Sequence, residues 1–219
     1  MRQGVRALEL GAGVGVSGIV LAELGASVTL TDYSPPILAL LRRNVAQNAG
    51  GGLARRCSVA HLAWERPDAL RMEPASLDLI VGSDVVYGGP KSGAPPSRRP
   101  ARWGVASRVG RGWLGAWRVG GTCMAHAWHM HGTCTCMAAG ALLLAAIGQL
   151  ISLYGHPRTA VLLAFGCRGR GTDDYVGFLR AAAHKYEIAQ LEPDEAVAEE
   201  SGVDGVDIFE LTPSSSWRP

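Results

Sequence analysis

The chain predicts an α/β fold: a mostly parallel sheet with helices on both faces and an antiparallel hairpin at its carboxyl end. Three observations predict it. Apolar strand-length runs alternate with helical ones in the first half, a glycine-rich turn separates the first strand from the first helix, and two late strands flank an acidic, turn-forming stretch, Glu192 to Gly205. With 219 residues and 47% hydrophobic side chains, the chain suits one domain with an elaboration and can bury a core.

The first strand is expected at Val5 to Leu10, followed by Gly11-Ala-Gly13-Val-Gly15 and a helix over Val16 to Leu24. Glycine there lets backbone N–H groups approach a ligand closely. A second strand, Ser27 to Thr31, ends at Asp32, whose carboxylate can accept both hydroxyl protons of a ribose. Ser34 is placed to cap the next helix, with Pro35 at its first position and Ile37, Leu38, Leu41 and Val45 on one apolar face. Asn48 and Gly50 to Gly52 stop it. Further strands are expected at Cys57 to Ala60, Leu77 to Val81, Thr159 to Phe165, Tyr186 to Leu191 and Val206 to Leu211, with a helix at Tyr175 to His184. Met137 to Leu153 is apolar but broken by Gly140, Gly148 and Gln149, and it is shorter than the ~20 residues of a membrane span. It reads as a packed helix.

Gly88 to Cys136 breaks the pattern. It holds seven basic residues and no acidic one, which leaves 14 of the 21 basic residues against all 19 acidic ones elsewhere. Four of the six tryptophans lie in it, without hydrophobic periodicity, so a disordered surface loop, even one foreign to the working protein, is the expectation. Cys123, His126, His129, His131, Cys134 and Cys136 match no established closed zinc site, and no metal is expected. Arginine with tryptophan suits nucleic acid, yet no binding module accompanies them. Five cysteines, an odd number, give no secreted disulfide framework, and no basic-then-apolar leader is visible. A cytoplasmic protein is expected. The domain divides as 1–87, 88–136 and 137–219.

Two cofactor classes fit the glycines. Gly13, Gly15 and Gly18 spell the dinucleotide fingerprint, in which a helix N-terminus receives a pyrophosphate. Glu9 argues against it, because a carboxylate beside the loop repels phosphate and suits an ammonium group. S-adenosylmethionine carries an ammonium, a sulfonium and no phosphate, and is favoured. A tight strand-to-helix turn without a ligand is the bland alternative.

Asp78 to Tyr87, DLIVGSDVVY, joins Glu9 to Tyr33, Leu40 to Asn48 and Leu62-Ala63-Trp64 in a pattern that resembles the seven-β-strand, Rossmann-like methyltransferases of the family-16 type, which act on lysines of non-histone proteins. The resemblance implies that Glu9, Gly11 and Gly13 line the methionine end of S-adenosylmethionine. It also implies that Asp32 holds the ribose, that Trp64 packs against the adenine and that Ser83 joins the cofactor site. Asp84 and Tyr87 are the implied catalytic pair, Asp84 receiving the ammonium of a target lysine and Tyr87 forming an aromatic wall. A protein substrate is expected, with no membrane and, less firmly founded in the residues, a monomeric state; nucleic acid is a lesser alternative. Methylation of a small molecule or nucleic acid on the same scaffold, or an inactive cofactor-binding relative, are the rival readings. Family members carry a covering segment before the first strand; here only Met1 to Gly4 precede it.

Overall fold

The computed structural model describes residues 4–48, 50–86, 136–166, 173–191 and 206–214. Seven strands form one sheet: β1 (Arg6–Leu10), β2 (Ser27–Asp32), β3 (Cys57–His61), β4 (Leu77–Ser83), β5 (Gly155–Gly166), β6 (Tyr186–Leu191) and β7 (Val206–Pro213). Their order is β3-β2-β1-β4-β5-β7-β6. Strands β1 to β5 pair in parallel, whereas β7 runs antiparallel to both β5 and β6. The sheet therefore grows outward in two directions from the β1–β4 pair, the kind of reversal at which open α/β sheets bind ligands beyond their strand carboxyl ends.

Side-chain alternation along the strands explains the two layers. Ala7, Val28, Leu30, Leu79 and Val81 face one way, where α1 (Val16–Glu23) and α2 (Pro35–Gln47) supply Ile19, Ala22, Leu38, Leu41 and Val45. Leu8, Leu10, Ile80, Val161, Leu163, Phe165 and Leu211 face the other way. There α4 (Cys136–Tyr154) and α5 (Asp173–Ala182) contribute Leu143, Ile147, Leu150, Phe178 and Ala182. A four-residue helix, α3 (Leu53–Arg56), leads into β3. Phe165 anchors the second layer, stacked on Tyr175 with ring centroids 4.9 Å apart. Such a ring pair adds about 1 kcal/mol beyond the area it buries. The expected fold class, with its closing antiparallel hairpin, is thus the observed one.

Two local expectations are corrected. Ser34 sits at the N-cap of α2, but its side chain makes no cap bond; its N–H instead donates to Asp32 Oδ1 at 3.0 Å. Strand β5 begins at Gly155 rather than Thr159, because its pairing with β4 shifts: Leu77 opposes Gly155 while Leu79 opposes Ala160. Thr159, fully buried, stabilises this irregularity. Its hydroxyl donates to the Leu77 carbonyl at 2.6 Å and accepts the His156 N–H at 2.7 Å. Pro157, which cannot donate to a ladder, hides the early start from a reading of the sequence.

Among the described residues, no helix is long and apolar enough to cross a membrane, and no group of three or more His, Cys, Asp or Glu side chains could hold a metal ion. Tyr87 and the basic segment, apart from Cys136 at the start of α4, lie outside the described residues.

Candidate cofactor site

The carboxyl ends of β1, β2 and β4 meet at the candidate site. Glu9 pairs with Val81 and Leu10 with Gly82, so the loop that follows β1 leaves the sheet beside Ser83 and Asp84. On the other flank, the Ala12 N–H donates to the Thr31 carbonyl at 2.8 Å, which holds the loop against the end of β2. Asp32, 8% exposed, directs Oδ2 at the Gly13 N–H (3.3 Å) and Oδ1 at the Ser34 N–H (3.0 Å). Each carboxylate oxygen keeps a further acceptor site beyond these bonds.

The Asp32 carbonyl accepts the Leu62 N–H at 3.0 Å and so draws the segment after β3 toward the same place. Trp64, half-buried, follows two residues later and packs against the core. A Cβ added to Gly11 would stand 3.8 Å from Trp64 Cζ2 and 3.1 Å from Val85 Cγ1. The indole and the end of β4 therefore flank the loop closely.

Glu9 is placed differently from a residue that simply lines an open pocket. Strand alternation turns it with Ala7 and Val81 toward α1, and it is 3% exposed. Oε2 accepts the Gly18 N–H at 3.0 Å, and the Ser17 hydroxyl also bonds to the carboxylate. Gly15, the N-cap of α1, supplies no side-chain cap, so the first turn is capped by an acid from the preceding strand. This explains Gly18: a Cβ there would stand 2.4 Å from Glu9 Oε2. The third glycine of the apparent dinucleotide fingerprint makes room for a carboxylate. A helix N-terminus bound to an internal carboxylate has already satisfied part of the positive field that would attract a pyrophosphate.

Burial pushes the Glu9 carboxyl from its ordinary 4.5 up to about 7, with the Gly18 and Ser17 bonds pulling the other way. The folded protein thus holds this proton more tightly than the unfolded chain. The associated stability is complete below pH 4.5, falls as pH rises toward about 7, and is lost above that. At about 1.4 kcal/mol per pH unit, the loss has a ceiling of roughly 3 kcal/mol. Glu9→Gln keeps an acceptor for Gly18 and removes the titration. Urea denaturation between pH 4.5 and 8 is expected to show the variant gaining on the wild type across that window; parallel curves would show that Glu9 is not the group responsible.

At the end of β4, Ser83 is exposed and opposes Ala164, and the Asp84 N–H donates to the Ala164 carbonyl at 2.8 Å. Asp84 is half-buried in the left-handed region at φ 56°, a conformation that Asp and Asn tolerate better than most residues. Glu9, Gly11, Gly13, Asp32, Trp64, Ser83 and Asp84 therefore all lie at one edge of the sheet or on the segments that leave it. Sequence reasoning missed Ser17, Thr31 and Asn44, which tie this edge together. Thr31 donates to the Glu9 carbonyl at 2.6 Å, and Asn44 Nδ2 donates to the Val14 carbonyl at 2.9 Å. Asn44 carries a legible signal, since it is a polar residue in phase with the apolar face of α2.

The donor set suits S-adenosylmethionine: acids at the ends of β1 and β2, a flat indole, close backbone approach at glycine, and a helix N-terminus occupied by Glu9. A family profile described as lysine methyltransferase matches residues 1–91. The protein N-lysine methyltransferase METTL21A of Danio rerio is 44% identical over 86 residues, covering 39% of this chain and 38% of that relative. EEF1A lysine methyltransferase 3 of Mus musculus is 40% identical over 86 residues, covering 39% of this chain and 34% of that protein. The match thus spans little more than a third of each of these curated relatives. Among solved structures, a TehB-like SAM-dependent methyltransferase from Corynebacterium glutamicum superposes with a TM-score of 0.50 at 16% identity, covering 98% of this chain and 83% of that one. At that identity the likeness shows the fold alone. Residues 1–91 belong to the lysine methyltransferase family, and they are set in the seven-strand sheet of a SAM-dependent methyltransferase.

Proposed function

We propose that this chain is an S-adenosylmethionine-dependent methyltransferase that modifies a lysine side chain of a non-histone protein. The observation that carries the reading is the cap of α1 by Glu9 beside Asp32, which leaves a site for a nucleoside and a cationic group rather than for phosphates. The family of residues 1–91 and the names of the relatives supply the lysine. An odd cysteine count without a disulfide framework supports a cytoplasmic setting, and a monomer working without a metal completes the reading.

When bound, S-adenosylmethionine would supply a methyl group made electrophilic by its sulfonium. In this reading Asp32 accepts the ribose hydroxyls, Trp64 lies against the adenine, and Glu9, Gly11, Gly13 and Ser83 frame the methionine end. Asp84, leaving β4 next to the loop, receives the lysine ammonium and orients it. A lysine with an ordinary pKa of about 10.4 must lose a proton before its nitrogen can attack. Desolvation near a positive sulfonium favours the neutral amine. The nitrogen must then be held about 3 Å from the methyl carbon and in line with the bond that breaks. Tyr87, three residues after Asp84, completes the proposal as an aromatic wall that excludes water.

The test is calorimetric titration with S-adenosylhomocysteine and with NAD, followed by a methyl-transfer assay on lysine-containing protein fractions. Asp84→Asn, which suits the left-handed backbone, is expected to leave S-adenosylhomocysteine affinity within about threefold while transfer falls at least 100-fold, about 2.7 kcal/mol of transition-state stabilisation. Loss of binding in this variant would reassign Asp84 to the cofactor. Binding of NAD in place of S-adenosylhomocysteine would overturn the reading.

A further inference from the structure

The inward face of α2 is apolar at Ile37, Leu38, Leu41 and Val45, all buried, yet Asn44 lies in the same phase and is only 4% exposed. Half of its amide is satisfied by the Val14 carbonyl. Oδ1 is buried, and no protein donor among the described residues reaches it. A buried amide with an unmet acceptor is less favourable than an aliphatic side chain of similar size. Packing alone therefore favours leucine at this position. The polar residue needs another reason.

That reason lies in what α2 touches. A Cβ on Gly15 would stand 2.3 Å from Leu41 Cδ1, so the helix presses directly on the glycine loop one turn before Asn44. The Asn44 bond then fixes the orientation of the Val14–Gly15 peptide. On the adjacent stretch of the loop, the Gly13 N–H points toward Asp32 and the Gly15 N–H closes on the Ala12 carbonyl. Turning the Val14 carbonyl away from α2 would disturb both. We propose that Asn44 is a positioning residue for the cofactor, acting through the Val14 carbonyl to hold the glycine loop in its binding shape. The proposal rests on the functional reading above. It adds α2 to the residues that set donor affinity without touching the donor.

Asn44→Leu separates this role from a purely structural one. In the full chain, the expected result is a melting temperature equal to or above that of the wild type, with S-adenosylhomocysteine affinity reduced at least tenfold by calorimetry. Hydrogen exchange at the Gly13 and Gly15 amides is expected to quicken at least tenfold, with the core strands unchanged. Unchanged affinity with unchanged exchange, or a loss of stability in step with affinity, would overturn the proposal. If Asn44→Leu fails to fold, Asn44→Ala must show the same split, and failure of both variants to fold would assign Asn44 to the fold itself. A wild-type chain that does not bind S-adenosylhomocysteine would instead refute the functional reading, and the exchange measurement would still decide for or against the role of Asn44 in the loop.

Discussion

Gly18→Ala is expected to destabilise the protein by about 3 kcal/mol, a large fraction of the roughly 5–15 kcal/mol that holds a domain folded. Alanine is the better helix former by about 1 kcal/mol, so propensity alone predicts the opposite sign. Geometry decides otherwise. The added Cβ would stand 2.4 Å from Glu9 Oε2, 2.7 Å from Leu30 Cδ2 and 2.9 Å from Leu30 Cγ, with the carboxylate on one side and a buried leucine on the other. Overpacking of this kind costs about 1–3 kcal/mol. Displacing the carboxylate from the Gly18 N–H forfeits a charge-assisted hydrogen bond worth about 1.5–3 kcal/mol. Gly140, in α4, is the control: its added Cβ would meet nothing nearer than 3.6 Å, so Gly140→Ala is expected to be neutral or mildly stabilising. Urea denaturation checks both. A Gly18→Ala midpoint equal to the wild type would mean that Glu9 does not lie under α1.

Asp32→Ala is expected to reduce S-adenosylhomocysteine affinity by a factor of roughly 100 to 1,000, with a smaller loss of stability. Two hydrogen bonds from ribose hydroxyls to one carboxylate, each worth about 1.5–3 kcal/mol, set that scale. The alanine variant also frees the Gly13 and Ser34 N–H groups that the carboxylate now holds, and so loosens the loop as well. Asp32→Asn keeps one acceptor and is expected to fall between the two. Calorimetry on the three proteins provides the comparison. Affinity in Asp32→Ala within tenfold of the wild type would remove the ribose from Asp32.

Much of this arrangement was readable in the chain, for physical reasons. Parallel strands buried on both faces are short apolar runs, and Leu8 to Leu10, Val28 to Leu30 and Leu79 to Val81 stand out between turn residues. Asp32 was visible because an acid at the end of a buried strand is costly unless it has partners. Glu9 was harder to read. Its identity pointed to a cationic ligand, but its burial under α1 depends on Gly18 leaving a hollow nine residues later, a relation that no local pattern displays. The early start of β5 was concealed by Pro157 and by a register shift that exists only once β4 lies alongside. Asn44 belongs to the same class, since its partner is a backbone carbonyl thirty residues away.

The reversal of strand order between β1 and β4 bears on ancestry as well as geometry. On the proposed assignment, every group that meets the donor before β4 comes from residues 9–64, and the acceptor side opens only with Asp84. A lineage could therefore keep its donor half nearly intact while the chain beyond β4 drifts toward new targets. The relatives fit such a history: two proteins, one of them named for EEF1A as its target, share 40–44% identity with this chain over less than 40% of its length. Seen this way, the first 91 residues are a heritable donor cassette, and the identity of the methylated protein is written in the part of the chain that diverges.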